Sequence, residues 1–240
     1  MQREEVQSDP QRSQHEAPRN TDASIKECFG DDDNQRRDQG SLGKVVTMNL
    51  HIVTPCTRDQ SFLDRCYESI RKLDIPYTWF IVTDKSSYPH ELDITRYENT
   101  HHLESTLPKL WNSLLNYYLE VVPEEDQWMV VLDDDNLMHE GFKGILPFLD
   151  YPQISCVTYA QKVDKEGNLR QMDSSCFYPR KIDQAQFVLR RSDIGDLRYW
   201  NIYRGDGYFI LEFKIRMEIR QRQILVTNQV ACNYNAQHWT

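Results

Sequence analysis

The chain alternates between short apolar runs and longer stretches whose apolar residues recur at helical spacing. Ordered sequence is expected from Lys44, where VVTMNLHIVTP reads as a strand. Phe62, Cys66, Ile70 and Leu73 then fall on one helix face. Thr78–Thr83 (TWFIVT) is apolar and β-rich throughout, the pattern of a strand buried on both faces, and it stops at Asp84, Lys85, Ser86 and Ser87. The clearest helix runs from Thr106 to Val122. Leu107, Leu110, Trp111, Leu114, Leu115, Tyr118 and Leu119 repeat there every three or four positions, with Thr106 as the expected cap and Pro108 in the first turn. Trp128–Leu132 (WMVVL) is a second buried strand, ending at Asp133-Asp134-Asp135-Asn136. A helix is expected over His139–Leu149, then a strand in ISCVTYAQKV, a hairpin turn at Asp164–Asn168 and a return strand. The last third is less regular: the spacing predicts helices at Gln184–Arg191 and Tyr208–Arg222 and a final strand at Ile224–Tyr234.

Strands that alternate with helices predict an α/β fold around a mainly parallel, mixed sheet flanked by helices. In such sheets ligands bind at the carboxyl ends of strands. Asp84 and the Asp133–Asp135 cluster both lie at such ends.

Composition changes the picture at the N-terminus. Residues 1–43 hold ten acidic and six basic side chains, with only Met1, Val6, Ile25, Phe29 and Leu42 as large apolar residues. They read as a disordered polar leader that buries too little to offset its ordering entropy. Residues 44–240 are expected to form one domain, long enough for a sizeable core. The formal net charge of −9 argues against nucleic acid as a partner. No apolar run reaches the 18 or so residues of a membrane span, and MQREEVQSDPQRSQHE offers no signal-peptide core. The six cysteines include no CxxC pair, so reduced thiols in a cytoplasmic protein are the expectation.

Three adjacent carboxylates after a buried strand raise one another's pKa unless a cation intervenes. Asp133 and Asp135 share a face of an extended chain, and two hard oxygen donors suit Mg²⁺ or Mn²⁺ with a substrate's phosphates as further ligands. Asp31-Asp32-Asp33-Asn34 is the same tetrapeptide in the polar leader, where it reads as a solvated charge run; the preceding WMVVL is what distinguishes the second copy. An EF-hand loop fails because Met138 stands where it needs glycine. A haloacid-dehalogenase-like phosphatase also uses a strand-end Asp two residues from a second one. It expects that motif near the start of the domain and an acidic pair later, and the chain has only Gly205-Asp206-Gly207 and Glu212. His101-His102 reads as a surface loop, since adjacent residues seldom bind one metal.

In order, the motifs resemble those of GT-A-fold glycosyltransferases, with family-2-like and glucuronyltransferase-like features. HIVTPCTRDQSFLDRCYESIRKL is similar to the opening strand, turn and first helix, TWFIVTDKSS to the second strand, LPKLWNSLL to the helix before the metal motif, and WMVVLDDDNLMHEGF to the DXD strand. IDQAQFVLRRSDIGDLRYW and YRGDGYFI resemble the acceptor-side half. The resemblance implies that Thr54, Pro55, Arg58 and Asp84 surround the nucleotide, with Asn112 nearby. Asp133 and Asp134 would contact ribose and the metal site, and Asp135 would be the principal ligand to Mn²⁺ or Mg²⁺, with Asp133 and His238 as further ligands. Asp183 and Gln186 would meet sugar hydroxyls, and Trp111, Trp200 or Tyr203 would stack on sugar rings or simply pack. An inverting transfer needs a general base, for which Asp206 is the candidate; the alternative is a plain helix cap. Gly205 and Gly207 would admit substrate.

The expected activity is transfer of a sugar from a nucleoside-diphosphate sugar, UDP foremost, to a glycan or other hydroxyl acceptor. A dehalogenase-like phosphatase and a non-catalytic nucleotide-sugar-binding module are the alternatives. A nucleotidyltransferase is disfavoured, because no Gly-rich basic loop follows the first strand.

Overall fold

A computed structural model describes residues 49–85, 92–106, 111–202 and 204–238. The polar leader, both its Asp31–Asp33 cluster and its chain boundaries, lies outside these residues, as do Ser86, Ser87, Pro108 and Tyr203. The described residues belong to one compact unit, Val46–Thr240.

In chain order the unit comprises β1 (Leu50–Pro55), α1 (Gln60–Arg71), β2 (Thr78–Asp84), β3 (Thr100–Ser105), α2 (Trp111–Val121), β4 (Trp128–Val131) and β5 (Leu137–Met138). A 3₁₀ turn, Glu140–Gly144, leads into α3 (Leu146–Leu149). There follow β6 (Ile154–Lys162), β7 (Leu169–Arg170), a 3₁₀ turn at Gln184–Gln186, β8 (Phe187–Arg190), α4 (Arg191–Ile194), α5 (Gly205–Ile219) and β9 (Gln223–Asn233). One sheet runs in the order β3-β2-β1-β4-β8-β6-β9-β5, with β7 paired to β6. The β3-β2-β1-β4 half is parallel, and β8 joins β4 to β6 with antiparallel pairing on both sides.

Period-2 alternation splits the strand residues between two cores. Leu50, Ile52, Trp79, Ile81 and Val188 face Leu63, Cys66 and Ile70 of α1 and Leu149 of α3. Val53, Phe80, Val82, Phe187 and Leu189 face Leu114, Leu115 and Tyr118 of α2 and Phe209, Ile210 and Phe213 of α5. Burial on both faces explains why β1, β2 and β4 read as continuous apolar runs. His51 points to the second face, where its Nδ1 lies 2.7 Å from the Tyr118 hydroxyl and burial pushes its pKa down to about 4.

Three expectations change. Gln184–Arg191 is not a helix. It is one 3₁₀ turn followed by β8, whose Phe187-Val188-Leu189 send side chains alternately to the two cores. His101 and His102 sit on an edge strand, β3, rather than in a loop: His101 stacks on Phe80 and His102 Nε2 lies 2.8 Å from Thr83 Oγ1. The helix expected at His139–Leu149 is divided into a 3₁₀ turn and the single turn of α3. The five described cysteines are free thiols. No helix among the described residues is long and apolar enough to cross a membrane.

Candidate active site

From β1 the parallel strands run outward through β2 to β3 on one side, and β4 lies on the other, so the strand order reverses between β1 and β4. A crevice forms at such a point, outside the strands' carboxyl ends. The turn after β1 and the Asp133–Asn136 loop after β4 meet there. Asp134, fully buried, bolts them together: its Oδ2 accepts from the backbone N–H of Thr57 (2.8 Å) and of Arg58 (3.1 Å), and its Oδ1 from Arg58 Nη1. Burial raises its pKa despite these donors.

The loop is fixed from below and behind. Cys66 Sγ donates to the Asn136 carbonyl (3.3 Å), and Asn136 Oδ1 accepts from the Asn235 N–H (2.7 Å). Gln237 Nε2 donates to the carbonyls of Asp134 (2.8 Å) and Phe62 (3.0 Å), tying the chain's C-terminal turn to α1.

With its neighbour so anchored, Asp135 faces the crevice. Its Oδ2 lies 2.9 Å from Arg58 Nη2 and 3.6 Å from His238 Nε2. The Arg58 guanidinium is flanked by the rings of Phe62 (5.5 Å) and Trp111 (5.6 Å). Asp133 turns the other way, accepting from Gln184 Nε2 and, at 3.4 Å, from Asn136 Nδ2. Burial first, then the charges of Asp183 and Asp135, hold its pKa well above the usual carboxylate range.

Asp183 caps the 3₁₀ turn before β8. Its Oδ1 accepts from Ala185 N–H (3.0 Å) and Gln161 Nε2 (3.1 Å), and Gln186 Oε1 accepts in return from Asp183 N–H (3.0 Å). Burial raises the Asp183 pKa too. Asp183 and Asp206 line one cavity of about 350 Å³, together with Ile182, Tyr234 and four basic side chains. Asp206 stands in the first turn of α5, and burial pushes its pKa up to about 6. A larger cavity of about 560 Å³ lies between α1 and β5, but none of the predicted site residues lines it.

The other predicted residues have definite partners. Thr54 Oγ1 is buried and accepts from Trp79 Nε1 (2.9 Å), and Pro55 ends β1. Asp84 is buried at the end of β2, beside Ser105 in the register. Asn112 Nδ2 donates to the carbonyls of Trp200 (2.7 Å) and Ile202 (3.1 Å), holding the segment that leads into α5. Gln186 is fully buried in its capping box. Trp200 is half exposed and stacks on Tyr208 at 5.1 Å. Gly205 and Gly207 serve the backbone rather than a substrate: a Cβ at Gly205 would collide with the Trp200 carbonyl, and one at Gly207 with Pro179.

Among the described residues no three His, Cys, Asp or Glu side chains converge as a ready-made metal cage. Asp135 and His238 nevertheless suit a hard or borderline divalent cation. Mg²⁺-type sites take one or two protein ligands and complete themselves with substrate phosphates.

Sequence reasoning passed over Gln184, Gln237 and Cys66, which set the carboxylates' directions, and the basic residues of the cavity. The Arg180-Lys181 pair two residues before Asp183 was the available signal for the latter.

No profile of a known protein family matches the sequence, and neither does any curated protein. Solved structures do match. S. aureus TarS (residues 1–349) aligns with a TM-score of 0.59 and 13% identity over 78% of this chain and 60% of that one. The mannosyltransferase PcManGT from Pyrobaculum calidifontis, in complex with GDP-Man and Mn²⁺, gives 0.55 and 13% over 78% and 56%. Glucosyl-3-phosphoglycerate synthase from Mycobacterium tuberculosis, with Mn²⁺, UDP and phosphoglyceric acid, gives 0.50 and 13% over 77% and 70%. The chain thus spans somewhat more than half the length of the first two. Sheet order and these neighbours agree: the chain has the GT-A nucleotide-diphospho-sugar transferase fold.

Proposed function

We propose that the protein is a metal-dependent glycosyltransferase that moves a sugar from a nucleoside diphosphate, UDP foremost, to a hydroxyl acceptor with inversion. One observation carries the reading. Asp206, its pKa near 6, shares a cavity with Asp183, and Asp183 perturbs the Asp133–Asp135 loop at the sheet's carboxyl edge. A base at Asp206 and a diphosphate site at Asp135 on one edge of the sheet would suit a transferase. Two structural neighbours, solved in complex with Mn²⁺ and GDP-Man or UDP, support the donor class.

In this reading Thr54, Pro55, Arg58 and Asp84 frame the nucleotide, with Asn112 and Asp134 fixing the turns around it. Asp135 and His238 would hold Mn²⁺ or Mg²⁺, while Asp133, turned toward Gln184 and Asn136, would steady the loop behind them rather than bind the cation. That cation supplies charge neutralisation for the leaving group. Asp206 takes the proton of the acceptor hydroxyl as its oxygen bonds to the anomeric carbon. The bond from that carbon to the diphosphate oxygen breaks, and the nucleoside diphosphate departs. Asp183 orients the sugar, and Gln186, fully buried in the capping box, fixes Asp183 rather than touching substrate.

The test is a screen of UDP- and GDP-sugars with Mn²⁺, read by nucleotide release and by direct binding. A donor should bind, and Asp135→Ala should remove the Mn²⁺ dependence. If no nucleotide sugar binds and Asp135→Ala leaves Mn²⁺ affinity intact, the reading is wrong.

A further inference from the structure

The cavity that holds Asp206 is lined by four cations: Arg170 of β7, Arg180 and Lys181 from the segment before Asp183, and Arg204 immediately before α5. The cavity thus gathers four cations beside two carboxylates, inside a chain whose net charge is −9. Arg170 is fixed in place, donating from Nη1 to Gln161 Oε1 (3.1 Å) with its guanidinium over the Tyr234 ring at 4.4 Å. Among the described residues Arg180 and Lys181 form no ion pair within 4 Å, although the Lys181 charge reaches Asp173. Asp183 takes Gln161 and the Ala185 N–H on the same oxygen, Oδ1, and the lining cation that acts on its charge is Arg170.

The backbone adds an independent observation. Arg180 (φ +81°) and Arg204 (φ +68°) both adopt the left-handed region, which non-glycine residues enter rarely and which collects at binding sites. Two strained arginines thus line one cavity. Position decides what the charge is for. Asp135, His238 and Arg58, which the transferase reading gives to the metal and the diphosphate, meet on the β1–β4 side of the loop. The basic cavity lies on the side of Asp206, which has to touch the acceptor.

We propose that the acceptor is an anionic hydroxyl compound whose phosphate or carboxylate sits among Arg170, Arg180, Lys181 and Arg204, with its nucleophilic hydroxyl turned to Asp206. The inference rests on the transferase reading above. A cavity of about 350 Å³ holds roughly ten water-sized groups, which suits an anionic head the size of a glycerol phosphate.

Calorimetric titration of the full chain with glycerol 1-phosphate, glycerate and glycerol, with and without UDP–Mn²⁺, tests it. At least one anion should bind while glycerol does not, and which anion binds separates phosphate from carboxylate recognition. The Arg180→Asn/Lys181→Gln double variant should weaken that binding about tenfold or more and leave UDP–Mn²⁺ affinity unchanged. The proposal is overturned if neither anion binds wild type better than glycerol. It is overturned equally if the variant loses UDP–Mn²⁺ affinity in the same proportion, for then the cations serve the donor. The wild-type comparison decides the matter even if the variant does not fold. Intact anion binding without any UDP–Mn²⁺ binding would instead sink the transferase reading, and the acceptor role with it.

Discussion

A carboxylate that takes a proton from an alcohol works best when its own pKa lies close to the ambient pH. An ordinary Asp, near 3.9, is too weak a base for that. Asp206 is moved toward the useful range by burial, to about 6, although the Gly207 N–H and the Arg204 charge pull the other way. Its raised pKa means that the proton leaves only as pH climbs through about 6. Transferase activity, kcat/KM against pH, should therefore rise through that value and level off above it. Asp206→Asn should lower kcat by roughly 10²–10⁴-fold and remove that limb of the profile. A variant that keeps wild-type kcat would reduce Asp206 to a helix cap. Neighbouring side chains in one motif behave quite differently. Asp134 spends both oxygens on Thr57 and Arg58, whereas Asp135 meets Arg58 and His238 at the crevice.

The element that presents Asp206 is α5, and its start is set by what fits beneath it. The glycines on either side of Asp206 let the Trp200 carbonyl and Pro179 approach the helix more closely than any side chain permits. Gly207→Ala should cost about 1–3 kcal/mol, read as a fall in denaturant midpoint, and should also impair turnover because the displaced turn carries Asp206. An unchanged midpoint would show that Pro179 yields freely. A sequence reader sees Gly-Asp-Gly and knows the backbone is special there, but the partners, Trp200 and Pro179, are remote in the chain and were not legible. The same limit explains the strands. β1, β2, β4 and β6 were legible because burial on both faces leaves an apolar run, and β9, only partly buried, from its largely β-branched Ile-Leu-Val-Thr start. β8 was not, because the 3₁₀ turn at Gln184–Gln186 runs directly into four strand residues and imitates a helical period. β3 hid because an edge strand carries polar residues such as His101, His102 and Glu104. The Asp133–Asp135 cluster was legible from its strand-end position and Asp183 and Asp206 from the family resemblance, whereas the basic residues come from β7, an irregular segment and a helix start that only the fold brings together.

For the molecule as a whole, these buried carboxylates tie stability to pH and to metal. Asp133, Asp183 and Asp206 all have raised pKa values, with burial as the leading cause. In the interval above pH 4 the folded chain then holds protons that the unfolded chain has released, so stability falls as pH rises. For Asp206 the interval closes at about 6. His51 acts in the opposite direction. Its pKa drops to about 4 on folding, so its contribution is lost as pH falls from about 6.5 through 4. Burial raises Asp134 as well and lowers His102 as it does His51, so four carboxylates outweigh two imidazoles, and the free protein should melt at a higher temperature near pH 5 than near pH 7.5. A divalent cation with UDP replaces protons as the partner of the Asp133–Asp135 loop, and metal binding is itself favoured by deprotonation. Saturation at about 100 times Kd adds about 2.7 kcal/mol, or about 5–10 °C for a domain of this size. That gain should be large at pH 7.5 and shrink toward pH 5. Melting curves at both pH values, with and without UDP–Mn²⁺, check this directly. A gain independent of pH would mean that the cation and the buried protons do not compete, and that the acidic cluster is structural rather than a site.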